Sequence, residues 1–206
     1  FNLSIRELKH LHLYSSIFID EFKKDRIFID TLNNFISYKI GMKLSNWPLQ
    51  SISNTIEFNH TNPMTYKHTV NGTTYESNQV NLGHYLRDNS KVINYNFSYK
   101  FKNRIYFTYD FLYAIHGEEK EYNFYNNYNP ISIPIINNKT WDNTTNIFAL
   151  KGMIKNNLSI SLEYQISNIK GYDVGEFNAE YYLDLFTPVY FHGKTKTFRI
   201  NFNIGF

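Results

Sequence analysis

The chain carries seven histidines and eighteen carboxylates, the side chains from which a metal site or an acid–base pair would be built. His60, His68 and His84 fall close together, and three imidazoles that converged would suit zinc. No H-x-H or H-E-x-x-H spacing joins them, however, and Pro63 and Gly83 mark shaped turns between them. These rings are therefore expected to structure a loop or to hydrogen-bond a ligand. His10 and His12 do have H-x-H spacing, but they flank a tight turn. Asp110 and His116 share one face of an alternating segment. Six residues at about 3.3 Å each hold them roughly 20 Å apart, too far for a base and its orienting carboxylate. No serine stands beside a histidine in a recognisable triad. The reading is a non-enzyme, with no catalytic residue, no metal and no cofactor assigned.

The elements that carry these residues are strands. Phe198, Ile200, Phe202, Ile204 and Phe206 alternate with Arg199, Asn201, Asn203 and Gly205, and a period of two means one apolar and one polar face. The same alternation runs over Ile36–Leu44, Ile93–Phe101, Ile105–His116 and Leu158–Ser167. Such segments are about 10–12 residues long, as a tilted strand needs to cross a bilayer, whereas soluble strands are typically about five or six. Composition agrees. Phe and Tyr number 18 each, yet the mean hydropathy is −0.45, so the apolar groups must be confined to one face of each element. There is no cysteine for disulfides, and no basic run points to nucleic acid. No apolar stretch is long enough for a transmembrane helix.

Short turns at Leu8–His10, Asn46–Leu49, Lys102–Arg104 and Lys155–Asn157 alternate with long polar connections at Lys23–Thr31, Asn62–Lys91, Glu118–Asn143 and Gly171–Lys196. Periplasmic turns and outer loops of a bacterial barrel alternate in this way. The predicted fold is all-β: an antiparallel, up-and-down transmembrane outer-membrane β-barrel, with residues 1–206 forming one domain. About nine strands can be counted. Single-chain bacterial barrels have an even number, so this segment is expected to be the C-terminal portion of a larger barrel whose N-terminal strands are missing. A further short hairpin within Gly171–Lys196 would change the total by two.

The polar face predicts a lumen lined by Lys39, Lys43, Glu57, Lys100, Asp110, Glu163 and Arg199. These charges suit pairing across neighbouring strands in a wet interior. A sharper reading has the Lys and Arg side chains guiding an acidic polysaccharide, although the signs are mixed. The outer connection Glu118–Asn143 carries Tyr125 and Trp141 among many asparagines. Aromatic faces stack on sugar C–H groups, and amides supply both donors and acceptors. Trp47, in the Asn46–Leu49 turn, suits the periplasmic aromatic belt.

Two stretches carry resemblances. The apolar alternation closing on Phe202 and Phe206 resembles the signal by which barrel-assembly machinery reads outer-membrane proteins. The sequence Ile56-Glu57-Phe58-Asn59-His60-Thr61-Asn62-Pro63-Met64-Thr65-Tyr66-Lys67-His68, followed by Leu82-Gly83-His84-Tyr85-Leu86-Arg87-Asp88-Asn89-Ser90, resembles a pattern of the Wzi-like capsule-assembly family in the form found in Bacteroidetes. Here His84-Tyr85 stands where His-Pro is common. The resemblance implies an outer-membrane protein of a Gram-negative cell that binds or organises capsular or other surface polysaccharide without catalysis. It also implies ligand contacts at Asn62, Tyr66, His68, His84 and Arg87, to which Tyr125 and Trp141 are added as loop aromatics. Expected partners are outer-membrane lipids, the polysaccharide, the assembly machinery and a possible second outer-membrane protein, with no nucleic acid. Two alternatives stand beside this reading: a porin or transport-associated barrel for small solutes, and an accessory subunit docking another surface protein.

Overall fold

Where apolar and polar residues alternate, the chain is extended. The computed structural model describes residues 1–28, 34–67, 74–77, 80–102, 104–119, 135–136, 138–155 and 157–204. Its strands are β1 (Asn2–Ile5), β2 (Leu11–Glu21), β3 (Phe35–Ser45), β4 (Ile52–Thr61), β5 (Glu76–Ser77), β6 (Val80–Asn81), β7 (Ser90–Phe101), β8 (Ile105–Gly117), β9 (Lys139–Lys155), β10 (Leu158–Gly171) and β11 (Gly193–Ile204). Strands β5 and β6 form a small separate hairpin. The other nine make one antiparallel up-and-down sheet, ordered as in the chain, with β1 and β11 as its two edges. The sheet is open among the described residues. No helix there is long and apolar enough to cross a membrane, which bears on helical crossings alone.

The tight turns sit where sequence placed them. His10, Asn46 and Lys102 adopt positive φ there, the left-handed conformation that reverses a chain within a few residues. Asn46 also accepts a 3.0 Å hydrogen bond from the Ser51 N–H through its side chain, as asparagine does in turns.

Register keeps one face consistent across the sheet. Ser37, Lys39, Gly41 and Lys43 stand opposite Thr61, Asn59, Glu57 and Thr55, and Glu163 stands opposite Arg199. This is the inner, polar face. On the outer face, Ile40 meets Phe58, Tyr109 meets Phe148 and Leu162 meets Ile200. These outer residues are open to the surroundings: Ile40, Phe107, Leu150, Leu162 and Phe198 are all exposed. Both ends of the apolar band turn polar. At the loop end the outer face carries Lys91, Asp142, Asn168 and Lys194, and the turns at the other end carry Lys102, Arg104 and Lys155. Between them, Leu158 to Ile166 of β10 spans about 26 Å along the strand. Two tyrosine tips on this face are satisfied by asparagines, Tyr95 Oη donating to Asn54 Oδ1 and Tyr109 Oη to Asn146 Oδ1, each at 2.9 Å.

The inner face changes character along its length. In its middle Lys39 pairs with Glu57 and Arg199 with Glu163, while Asp110 and Lys100 have neutral partners. Glu57 accepts from Tyr14 Oη at 3.0 Å and from Asn59 at 3.1 Å, and Lys39 stands 3.8 Å from it. Asp110 accepts from Asn96, Lys100 lies over the Tyr106 ring, and Arg199 pairs with Glu163 and Gln165. Gly41 is needed for this arrangement, because a Cβ there would stand 2.1 Å from the Tyr14 ring.

At the loop end the inner face is not a wet lumen but an apolar core, formed by Leu86, Val92, Ala114, Trp141, Ile169 and Tyr182. A helix closes it. The stretch in which a further hairpin could have been placed forms α1 (Ala179–Phe186). Asn178 caps α1, accepting from the Tyr181 N–H at 2.9 Å, and Asp173 accepts from the Ala179 N–H at 2.7 Å. Pro188 follows its end. Strand alternation fails here because Tyr182, Leu183 and Phe186 recur at helical spacing, placing Tyr182 and its neighbours on the core. The helix lies so close to β10 that a Cβ on Gly171 would meet the Ala179 carbonyl oxygen at 2.0 Å.

Candidate functional site

Where the polar inner face gives way to the apolar core, four chain segments bring ionisable side chains together. The turn after β4 supplies Lys67, the segment before β7 supplies Arg87 and Asp88, β8 and the residues just after it supply His116 and Glu119, and α1 and its approach supply Glu176, Phe177 and Tyr181. They line a cleft of about 420 Å³, within the range of small-molecule sites.

Its wall is a chain of paired groups. His116 is 1% exposed, with Nδ1 2.6 Å from Thr140 Oγ1 and Nε2 3.0 Å from Glu119 Oε1. The second Glu119 oxygen pairs with Lys67 Nζ at 2.9 Å. Burial alone would raise the Glu119 carboxyl, but hydrogen bonding from His116 and the charge of Lys67 bring it down to about 2. Glu119 is thus an anion with two partners.

Asp88 behaves in the opposite way. It is 2% exposed, and its Oδ1 accepts from the Tyr66 N–H at 2.9 Å. Oδ2 is buried without a hydrogen-bond partner among the described residues. Burial first, and then the charge of Glu119, push the carboxyl up to about 7, against the weaker pull of the Tyr66 amide and Lys67. Arg87 and Asn89, on either side, both have positive φ. A buried acid held between two such residues is over-determined by its surroundings, and that is where strain and function tend to coincide.

The expected ligand residues divide. Arg87 lines the cleft. Asn62 is a loop anchor, donating to the Asn34 carbonyl and standing 2.7 Å from the His60 ring, each through its amide. Tyr66 is buried, its hydroxyl donating to Ser37 Oγ at 2.9 Å. The His84 ring accepts from the Leu86 N–H, and burial, with the charge of Lys39 nearby, lowers it to about 4. It is a neutral acceptor near pH 7.

Trp141 was expected in an outer loop, but it lies on the inner face of β9, only 1% exposed. Its Nε1 donates to Thr187 Oγ1 at 3.1 Å, and its ring packs against Phe186. It therefore belongs to the core under α1, and the loop reading is corrected: polar Asp142, Asn143 and Thr144 look like loop but are strand residues at the sheet's rim. Phe202 sits exposed on the outer face of β11. His68, Tyr125 and Phe206 lie outside the described residues. No group of three or more His, Asp or Glu residues spaced for a metal occurs among the described residues.

Sequence reasoning missed Asp88, Lys67, Glu119, Glu176 and the ring pair Phe177–Tyr181. The local signal for Asp88 was its place between Arg87 and Asn89. The other members come from distant segments and are united by tertiary structure alone. No protein-family model, curated protein or solved structure matches this chain.

Proposed function

We propose that this chain is wall of a bacterial outer-membrane β-barrel and that its loop end holds a surface polysaccharide without transforming it. The observation that carries the membrane part is the outer face: a continuous exposed apolar band from Ile40 through Phe107 and Leu150 to Phe198. Soluble monomers rarely leave contiguous apolar patches larger than a few hundred Å². A lipid-facing band about 25 Å tall between polar rims is what barrel walls present. Satisfied tyrosine tips on that face fit the same setting, since lipid offers no hydrogen bonds.

The polysaccharide part rests on the resemblance in residues 56–90 and on a loop-end cleft combining aromatic faces, hydrogen-bond acceptors and a guanidinium. Lys67, Glu119 and His116 in that cleft wall are tied to one another, which suits holding a ligand rather than proton transfer by those groups. The core under α1 also fills the loop end of the inner face, which favours a binder over a solute pore.

The test is binding of the purified, detergent-solubilised full-length protein to its own organism's surface polysaccharide, with conductance in planar bilayers measured beside it. Specific binding with little conductance is expected. Absent binding together with robust ion conductance would sink the polysaccharide reading and promote the porin.

A further inference from the structure

We infer that the cleft beneath α1 receives a single acidic sugar residue, its carboxylate held by Arg87 and its ring laid against Tyr181 and Phe177. This deepens the surface-polysaccharide reading and rests on it.

Charge assignment singles out Arg87. Among the cations of the cleft, Lys67 is engaged by Glu119, and His116 is fixed between Thr140 and Glu119. The Arg87 guanidinium has no hydrogen bond or ion pair among the described residues. A planar guanidinium in a cleft matches a carboxylate through two parallel hydrogen bonds. The acids do not cancel it. Glu119 already has two partners, Glu176 is exposed to solvent at the rim and screened, and Asp88 is largely uncharged below neutral pH.

The aromatic wall supplies the sugar preference. Phe177 and Tyr181 stack on one another with centroids 4.2 Å apart and remain 48% and 44% exposed. They present ring surface at the mouth of the cleft rather than to the core. The volume of about 420 Å³ suits a monosaccharide-sized group better than a chain segment.

Asp88 adds a proton. Its Oδ2 is buried and unpartnered in the cleft wall, so a ligand carboxylate on the neighbouring Arg87 acts on it through charge. Around Asp88 the cleft is lined by Arg87 beside it, by Lys67 from the turn after β4, by His116 of β8 and Glu119 just after it, and by Glu176 from the approach to α1. A second anion beside it raises its affinity for the proton. Binding therefore takes up a proton and tightens as pH falls from about 8 to about 6.

The experiment is titration of the full-length protein in detergent micelles with sodium glucuronate, with glucose and acetate as comparison probes. Glucuronate is expected to bind roughly tenfold more tightly than glucose, with acetate a poor competitor. Arg87→Gln removes the preference, and Arg87→Lys, which keeps the charge but not the fork, restores part of it. Asp88→Asn, which does not titrate, abolishes the pH dependence. Glucuronate bound no better than glucose, or displaced equally well by acetate, overturns the proposal. If the whole polysaccharide is still bound in that case, the wider reading stands without it.

Discussion

Asp88 and Glu119 are neighbours with opposite titration behaviour, and this sets a testable pH profile. The Asp88 carboxyl sits near 7 in the folded protein against an ordinary value of 3.8. The folded state therefore holds a proton that the unfolded chain has released between those values. Stability from this group is full below about pH 4 and falls as pH rises toward 7, by on the order of 4 kcal/mol at most. Glu119, held near 2 against an ordinary 4.5, works the other way: its contribution is present above about pH 4.5 and is lost as pH falls toward 2. Thermal unfolding in micelles should therefore show greatest stability near pH 4–5. Asp88→Asn should flatten the decline on the alkaline side while leaving the acid side intact; an unchanged decline in that variant would mean that Asp88 is not its source. Little of this was legible in the sequence. The one local sign of Asp88 was its place between Arg87 and Asn89, and Lys67, Glu119 and His116 reach it only through the packing of β4, β7 and β8.

Strands were legible and the helix was not, for one reason. A strand declares itself by a period of two sustained over many residues, as in Ile105–His116. Helix α1 has eight residues, a little over two turns, and its run Tyr181, Tyr182, Leu183 and Phe186 admits either period. What decides is tertiary: the apolar ends of β8, β9 and β10 need a cover, and α1 provides it through Tyr182, Leu183 and Phe186. The same core explains why Trp141 reads as a loop residue but is buried. The helix docks over Gly171, where the Ala179 carbonyl leaves no room for a side chain. Gly171→Val should therefore displace α1 and destabilise the loop end by about 1–3 kcal/mol. Proteolysis of the variant should cut at residues 172–192 while the sheet persists by far-ultraviolet circular dichroism. Resistance equal to the parent protein would show that the close approach is not needed.

At the scale of the whole molecule, the two tryptophans report on opposite environments. Trp47 stands exposed in the turn between β3 and β4, and Trp141 lies under α1. In vesicles of brominated phospholipid, Trp141→Phe should leave a strongly quenched fluorescence from Trp47, whereas Trp47→Phe should leave one that is barely quenched. Equal quenching of the two would contradict a membrane-seated sheet. Leu162→Arg, placed mid-height on the outer face, should lower stability in a bilayer by about 2–4 kcal/mol; a neutral effect there would remove the lipid from contact with that face. The order of the strands carries a further consequence. With nine antiparallel neighbours in chain order, β1 and β11 point the same way. Two copies standing the same way up can therefore bring β11 of one to β1 of the other only in parallel, a pairing that belongs to sheets covered on both faces. Joining β11 to β11 antiparallel would require one copy to be inverted. Among nine-stranded sheets held with their turns on one side, edge can meet edge in parallel alone, so an antiparallel closure of the proposed barrel needs a further strand running the opposite way between β11 and β1.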